Sequence, residues 1–311
     1  MQQTPATIIG VPLDLGAENL GVDIGPDAFR HQQIIDKLTG VGFILTDDGN
    51  IAVRDRKELE VGDSSLRYLD EIVRVNEDLA QHVEATIRAG RKAIVLGGDH
   101  SINLGTIAGA SAAVDGNIGQ IYFDAHGDMN TDETTLSGNI HGMNLAADMG
   151  FGPDALTKLY KPTTKLPKEN LLHIAGSDWD QAELDLIARE ELTSFSLFDV
   201  LTKGLGELIT LIDRLAESVP NIWISLDLDS IDQVYAPGAG MPNAKGLTYR
   251  EIATLAEYIG KKANVIGIDV VEYNPLQDEK SKTAELGIEL IAKFLGHNYS
   301  WYSNYMTHNK I

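Results

Sequence analysis

The chain has 311 residues, of which 43% are hydrophobic and 23% are charged, and its formal net charge is −21. Such an acidic surface repels phosphate backbones and anionic lipid, which argues against nucleic-acid and membrane partners. The absence of cysteine excludes disulfides, thiolate metal sites and cysteine nucleophiles.

Short apolar runs alternate along the chain with longer amphipathic stretches. Most of these runs are continuously apolar, which is typical of strands buried on both faces of a parallel sheet. The predicted strands cover residues 7–11, 42–45, 93–96, 119–123, 171–174, 222–226 and 265–271. The predicted helices cover residues 63–88, 101–113, 180–190, 205–216, 249–259 and 284–295. This alternation predicts an α/β fold of one domain, residues 1–311, with helices on both faces of a parallel sheet.

The sequence lacks signals for secretion or membrane insertion. No apolar run approaches the ~18 residues needed to span a bilayer. The amino-terminal residues lack a basic region followed by an apolar one, so they do not read as a secretory signal. We therefore expect a cytoplasmic protein.

Acidic and histidine residues follow three of the predicted strands, within residues 95–101, 122–130 and 225–232. Ligands of parallel α/β sheets bind at the carboxyl ends of the strands, so these segments mark the expected site. In an extended chain, residues i, i+2 and i+4 point the same way, which predicts that alternate side chains of each segment converge. The side chains expected to meet are His100, Asp124, His126, Asp128, Asp227 and Asp229.

Four carboxylates packed together repel one another and could not all stay ionised without cations. Two divalent ions would balance their charge. Oxygen-rich ligands with some imidazole and no sulfur favour Mn²⁺ over Zn²⁺. One Asp-x-His-x-Asp spacing alone is weak support, because acidic residues also cluster on ordinary loops. The occurrence of acidic and histidine residues after three different buried strands is what favours a metal site.

Gly97 and Gly98 precede His100. They allow a tight turn that delivers His100 to the expected site, and they also fit a simple entry into the next helix. The two interpretations are compatible, so both remain open on the sequence alone.

At these residues the sequence resembles the arginase (ureohydrolase) family, over nearly the whole chain. The resemblance includes residues 10–12 (Gly-Val-Pro), 21–26 (Gly-Val-Asp-Ile-Gly-Pro) and 271–275 (Val-Glu-Tyr-Asn-Pro) beside the three metal segments. Residues 137–142 (Ser-Gly-Asn-Ile-His-Gly) are similar to the arginases of this family rather than to its agmatinases. The resemblance implies a three-layer α/β/α fold around a mostly parallel central sheet of about eight strands.

The resemblance further implies two Mn²⁺ ions per subunit, bridged by Asp124 and Asp227, with a nucleophilic hydroxide between them. The implied ligands are His100, Asp124, Asp128 and Asp227 for one ion and Asp124, His126, Asp227 and Asp229 for the other.

Three residues would have catalytic roles by resemblance. His141 would give a proton to the leaving amine, Glu272 would pair with the substrate guanidinium, and Asp128 would orient the hydroxide. Each role suits the chemistry, because histidine titrates in the right range and a carboxylate matches a guanidinium. A structural ion pair remains the alternative for Glu272, and an idle surface histidine is the alternative for His141.

Five residues would bind the amino-acid part of the substrate by resemblance. Asn130, Ser137 and Asn139 would receive the α-carboxylate, and Asp180 and Glu183 would lie near the α-amino group. Hydroxyl and amide groups can bind a carboxylate without the charge of an arginine side chain. The alternatives are turn roles for Ser137 and Asn139, and a capping-box-like helix start at Asp180 and Glu183.

The implied activity is hydrolysis of L-arginine to L-ornithine and urea by a homo-oligomer, a trimer or a hexamer. Agmatine or guanidinobutyrate is the alternative substrate, although agmatine lacks the carboxylate that Ser137 and Asn139 would bind. A non-catalytic arginine-binding relative is the remaining alternative.

Three positions depart from the family pattern, and one of them is Gln233, which replaces a customary proline after Asp232. Ser177 stands where an arginine is usual, and Met241 stands where a threonine is usual near the guanidinium site. The tail, residues 297–311, matches no family pattern, and both docking on a neighbouring subunit and disorder remain open for it.

Overall fold

An eight-stranded parallel sheet forms the centre of the protein, in a computed structural model that describes residues 3–299. The strands are β1 (Thr4–Gly10), β2 (Phe43–Asn50), β3 (Lys92–Leu96), β4 (Gly119–Phe123), β5 (Leu171–Ile174), β6 (Ser194–Phe195), β7 (Ile222–Asp227) and β8 (Val265–Val271). Their spatial order is β2-β1-β3-β8-β7-β4-β5-β6, and every pair is parallel.

Helices connect the strands. They are α1 (Gly25–His31), α2 (Ile34–Gly40), α3 (Leu69–Arg88), α4 (Asn103–Ala113), α5 (Asn144–Asp148), α6 (Asp154–Thr157), α7 (Gln181–Glu190), α8 (Leu197–Lys203), α9 (Leu205–Ser218), α10 (Tyr249–Lys262) and α11 (Lys282–Phe294).

Two hydrophobic cores lie on opposite faces of the sheet. Because side chains alternate along a strand, Ile94 of β3 packs into one core while Val95 packs into the other. The first core contains residues of α9, α10 and α11, and the second contains residues of α3 and α4. The predicted three-layer α/β/α fold with about eight strands is therefore confirmed.

Short elements account for most differences from the predicted pattern. The two-residue strand β6 and the seven-residue helices α1 and α2 were not predicted, because so few residues establish no clear period. Helix α3 begins at Leu69 rather than at residue 63, since Tyr68 has a left-handed φ of 56° that ends the preceding turn.

The tail of the chain is described only as far as Tyr299. His297 Nδ1 lies 2.9 Å from the carbonyl oxygen of Val41, and Nε2 lies 2.8 Å from Thr4 Oγ1. The tail therefore starts beside β1, at the amino-terminal edge of the sheet. The rest of it, residues 300–311, lies outside the described residues. Within residues 3–299, no helix combines the length and the apolar character that crossing a bilayer requires.

Gly98 permits a close approach of two loops at the carboxyl edge of the sheet. A Cβ on Gly98 would lie 1.8 Å from the carbonyl oxygen of Leu13. We therefore expect Gly98→Ala to lower the free energy of unfolding by about 1–3 kcal/mol or more, measured by denaturant titration. Gly206→Ala is the matched control, because nothing lies within 4 Å of its Cβ position. Equal stability of the two variants would contradict this explanation.

Candidate metal centre and active site

Four adjacent strands bring the predicted segments to one edge of the sheet. In the strand order, β3, β8, β7 and β4 are neighbours, and their register places their carboxyl ends level. His100 follows β3, Glu272 follows β8, Asp227 ends β7 and Asp124 follows β4. Residues far apart in sequence therefore meet because of strand order.

The imidazole of His100 faces three carboxylates. Its Nδ1 atom is 2.9 Å from Asp124 Oδ2, 3.2 Å from Asp227 Oδ2 and 3.3 Å from Asp128 Oδ2. All four side chains are buried. His100, Asp124 and Asp128 are placed so that one atom of each could hold a single metal ion.

Hydrogen bonds behind His100 determine which ring nitrogen carries its proton. Trp223 Nε1 donates to Asp269 Oδ2, and Ser225 Oγ donates to Asp269 Oδ1, both at 2.5 Å. Because its one hydroxyl hydrogen is used there, Ser225 Oγ accepts from His100 Nε2 at 2.8 Å. In the neutral ring, the Nδ1 lone pair would then point at the carboxylates, an arrangement that a cation stabilises.

A second group shares Asp124 with the first. His126 Nδ1 is 3.0 Å from Asp229 Oδ2 and 3.4 Å from Asp124 Oδ1, and these three residues could also hold an ion. Asp124 Oδ2 is buried and accepts no hydrogen bond from any described residue, although His100 Nδ1 is only 2.9 Å away. A nitrogen and an oxygen that converge without sharing a hydrogen fit two ligands of one cation.

The crowded carboxylates are costly to ionise without cations. Burial, followed by the charge of Asp124, raises the pKa of Asp128 to about 7. Burial also raises the pKa of Asp227 and of Asp229, and neighbouring carboxylates add to both effects. For Asp124, burial acts in the same direction, but the neighbouring imidazoles of His100 and His126 outweigh it and lower the pKa. Divalent ions would stabilise all four carboxylates in their charged form.

A cavity of about 240 Å³ opens over these side chains. His100 and Asp124 are buried beneath it. Carboxylates dominate its wall, so a cationic guest would be attracted. The lining residues are His126, Asp128, Asn130, His141, Gly142, Asp178, Asp180, Glu183, Asp227, Asp229, Met241 and Glu272.

Glu272 and His141 lie together in this cavity. Glu272 has a left-handed φ of 60°, held by a hydrogen bond from its backbone N–H to the Gly98 carbonyl. Its Oε1 atom accepts from the backbone N–H of His100 at 2.9 Å and lies 3.5 Å from His141 Nδ1. Burial alone would lower the pKa of His141, but its hydrogen bond to Glu272 and the charge there raise it to about 9. His141 therefore carries a proton at neutral pH.

Three of the five predicted substrate residues line the cavity, and two do not. Asn130, Asp180 and Glu183 line the cavity, whereas exposed Ser137 and buried Asn139 are not among its lining residues. Asn130 Nδ2 donates to Asp180 Oδ2 at 2.7 Å. Asp180 and Glu183 form the capping box of α7, which is the alternative interpretation of this pair. These polar groups therefore already have protein partners, which a substrate would have to share.

Two buried side chains next to the candidate metal ligands were not predicted from the sequence. Tyr122 lies within β4, and its hydroxyl donates to Asp128 Oδ2; Asn144 begins α5 and donates to the same oxygen. Neither residue belongs to a metal-ligand spacing, so the sequence carried no signal for either.

Comparison with known proteins agrees with this geometry. The sequence profile of the Arginase family matches residues 4–296. The chain belongs to the Arginase family. An arginase of Bacillus caldovelox is 39% identical to it over 294 residues, which are 94% of this chain and 98% of that protein. The family resemblance predicted from the motifs is confirmed.

Solved structures of Arginase-family members share the fold. The native arginase of Bacillus caldovelox at pH 5.6 matches with a TM-score of 0.91 and 38% identity, covering 96% of this chain and 100% of that chain. The arginase of Entamoeba histolytica in complex with L-ornithine matches with a TM-score of 0.87 and 32% identity, covering 95% of this chain and 100% of that chain. The parallel sheet and its helical layers are thus those of the family.

Two of the three departures from the Arginase-family pattern, Ser177 and Met241, have defined positions. Ser177 Oγ accepts a hydrogen bond from Asn243 Nδ2 at 3.0 Å, which joins two loops. Met241 lines the cavity and is 39% exposed. Its thioether therefore adds an apolar surface to a cavity that is otherwise mostly acidic.

Proposed function

We propose that this chain hydrolyses L-arginine to L-ornithine and urea with two Mn²⁺ ions bound. The main observation behind the proposal is that two groups of side chains, each able to hold an ion, share Asp124. Above them lies a cavity that is also lined by Glu272 and His141. The curated relative from Bacillus caldovelox is an arginase, and the matching Entamoeba histolytica arginase was crystallised with L-ornithine.

The ligand chemistry supports manganese. Four carboxylates and two imidazoles, with no sulfur, suit Mn²⁺ better than Zn²⁺. When bound, the two ions would lower the pKa of a shared water so that hydroxide is available near neutral pH. The residues proposed to hold them are His100, Asp124, Asp128 and Asp227 for one and Asp124, His126, Asp227 and Asp229 for the other.

Glu272 is proposed to bind the reacting group. A guanidinium is planar and cationic, and its N–H groups form a fork that matches a carboxylate. Glu272 Oε1 already accepts from His100, whereas Oε2 faces Gly240, where a Cβ would lie 2.4 Å from it. Glycine at position 240 therefore permits this position of the carboxylate, which lines the cavity that a substrate would enter.

His141 is proposed to protonate the leaving group. The amine of ornithine leaves as a neutral molecule only if it receives a proton in the transition state. His141 lines the cavity and keeps its proton at neutral pH, because its pKa is raised to about 9 by Glu272 against the lowering effect of burial. Asp128 is proposed to orient the attacking oxygen, since its carboxylate lines the same cavity.

Replacing Glu272 by glutamine tests the guanidinium role. The amide keeps the shape but loses the charge, so we expect kcat/KM for arginine to fall about 10- to 200-fold, as for the loss of a charged hydrogen bond. Bound metal should be unchanged. Glu71→Gln is the matched control, because Glu71 is equally buried but pairs with Arg54 and Arg74 away from the cavity. A Glu272→Gln enzyme with unchanged kcat/KM would rule out this role.

A substrate panel tests the activity itself. The protein is stripped with chelator, restored with Mn²⁺ and assayed for urea from arginine, agmatine and guanidinobutyrate. We expect arginine to be the best substrate. Preference for agmatine would favour the alternative ureohydrolase activity, and arginine binding without urea release by manganese-loaded protein would favour a non-catalytic relative.

The remaining expectations stay predictions. These are a homo-oligomer of three or six subunits, a cytoplasmic location, and a single domain over residues 1–311. The proposed substrate contacts of Asn130, Ser137 and Asn139 with the α-carboxylate also stay predictions, as do those of Asp180 and Glu183 with the α-amino group.

A further inference from the structure

Two neutral donors converge on one oxygen of Asp128. Tyr122 Oη donates to Asp128 Oδ2 at 2.7 Å, and Asn144 Nδ2 donates to the same oxygen at 2.9 Å. Both donors are fully buried. The ring of Tyr122 also stacks on the imidazole of His100, with 4.6 Å between centroids and an interplanar angle of 3°. Asp128 is thereby held with Oδ2 3.3 Å from His100 Nδ1.

The orientation of the Asn144 amide is fixed by its own partners. Its Oδ1 atom accepts from Asn103 Nδ2 at 2.9 Å. Asn103 in turn accepts from Gln120 Nε2 at 2.7 Å and donates to Asp148 Oδ2 at 2.8 Å. Reversing any of these amides would set donor against donor or acceptor against acceptor. A directional series of hydrogen bonds therefore runs from Gln120 through Asn103 and Asn144 to Asp128.

The second amide hydrogen of Asn144 reaches the loop of His141. Asn144 Nδ2 lies 2.6 Å from the carbonyl oxygen of His141. One buried amide group thus contacts both Asp128 and the backbone of His141. Its two hydrogens are both used, so neither contact can be exchanged for the other without a cost of about 1–3 kcal/mol for an unsatisfied polar group.

We propose that Tyr122 and Asn144 are positioning residues that orient Asp128 for metal binding, and that Asn144 alone also positions His141. This inference rests on the proposed functions of Asp128 and His141. Two hydrogen bonds to one carboxylate oxygen restrict rotation of the carboxylate away from a bound metal. Residues that hydrogen-bond to metal ligands commonly contribute about 10- to 100-fold to metal affinity.

The two residues are distinguished by what each contacts. Tyr122→Phe removes only the hydroxyl and leaves the ring stacked on His100. The hydroxyl lies 3.1 Å from both His100 Nδ1 and Asn144 Oδ1, but its shortest contact is the 2.7 Å hydrogen bond to Asp128, so the main effect falls there. Asn144→Ala removes the donors to both Asp128 and His141. Both variants should weaken Mn²⁺ binding, but only the asparagine variant should also displace the proton donor.

Calorimetric titration of chelator-stripped protein with Mn²⁺ tests the first part. We expect the Kd of the weakened ion to rise about tenfold in Tyr122→Phe and in Asn144→Ala. In the double variant the increase should be less than the product of the two, because both donors serve the same oxygen. The titration uses no substrate, so it still tests the inference if no guanidino compound proves to be hydrolysed.

Steady-state kinetics at saturating Mn²⁺ test the second part. We expect Asn144→Ala to lower kcat about 10- to 100-fold with KM nearly unchanged, and Tyr122→Phe to lower kcat much less. Asn76→Ala is the control for a lost buried amide, because Asn76 is equally buried and, within residues 3–299, its side chain bonds only to the backbone of Ile72 and Gly105. It should lower thermal stability while leaving Kd and kcat unchanged.

Two results would overturn the proposal. The first is a Tyr122→Phe protein, folded by circular dichroism, that binds Mn²⁺ with the affinity of the unaltered chain. The second is an Asn144→Ala protein that matches Asn76→Ala in stability, Kd and kcat. An unaltered protein that binds Mn²⁺ but releases no urea would instead contradict only the proposed function.

Discussion

Asp124→Asn is expected to remove most of the bound metal and to lower kcat about 1,000-fold or more. Asp124 is shared by both groups able to hold an ion, so a neutral amide there weakens both at once. Bound metal provides several kcal/mol of charge stabilisation in the transition state, and each 1.36 kcal/mol corresponds to a factor of ten in rate. Metal content after dialysis and urea release from arginine measure the two effects.

Thermal unfolding gives a readout of the same variant that needs no substrate. Mn²⁺ at about 100 times its Kd should stabilise the unaltered protein by about 2.7 kcal/mol for each bound ion, because it binds the folded state alone. Asp124→Asn should lose most of this increase.

Asp47→Asn is the matched control. Asp47 lies on β2 and accepts two hydrogen bonds from Arg30, at 2.9 Å and 2.8 Å, far from the metal ligands in the strand order. Its loss leaves all proposed ligands in place, so stabilisation by Mn²⁺ should be complete. An Asp124→Asn protein that retained full metal content would show that the ions bind elsewhere.

The sheet was predictable because its strands are buried on both faces. A mostly apolar run such as residues 222–226 stands out from the helices around it, and all six residues of β7 are buried. Strand order was not readable in the same way. The crossing that places β8 and β7 between β3 and β4 depends on packing between distant segments, which no local pattern encodes.

The sequence predicted that these acidic and histidine side chains would lie close together, but the predicted local backbone conformation was partly wrong. The spacing of Asp124, His126 and Asp128 suggested an extended chain. Strand β4 ends at Phe123, and Asp128 has a left-handed φ of 53°. The side chains converge because the loop turns back over the strand ends, so Asp128 meets His100 while His126 meets Asp229.

Contacts between residues that are far apart in the sequence could not be predicted. Nothing in the local pattern pairs Ser225 with His100, or Asn144 with Asp128, since these depend on the register of neighbouring strands and helices. The same holds for Asn130, whose amide donates to Asp180. A spacing argument identifies residues that share a strand end, whereas their hydrogen-bond partners follow from the three-dimensional packing.

His141→Asn is expected to keep the metal and lose about 100- to 10,000-fold in kcat, the usual contribution of a general acid. His141 belongs to neither group able to hold an ion, and its Nδ1 atom instead lies 3.5 Å from Glu272 Oε1. Asparagine preserves a polar side chain but cannot donate a proton to a leaving amine. Metal analysis and the pH dependence of kcat measure the two parts of this expectation.

The pH profile gives the sharper test. The pKa of His141 is about 9: burial opposes the charged form, but the hydrogen bond and charge of Glu272 outweigh it. A group with a raised pKa holds its proton below that value, so the activity of the unaltered enzyme should fall as the pH rises through about 9. The His141→Asn enzyme should lack this decrease, whereas His82→Asn, at a surface histidine 40% exposed, should retain it. If the His141 variant came out metal-free, His141 would act on the metal centre rather than as the proton donor.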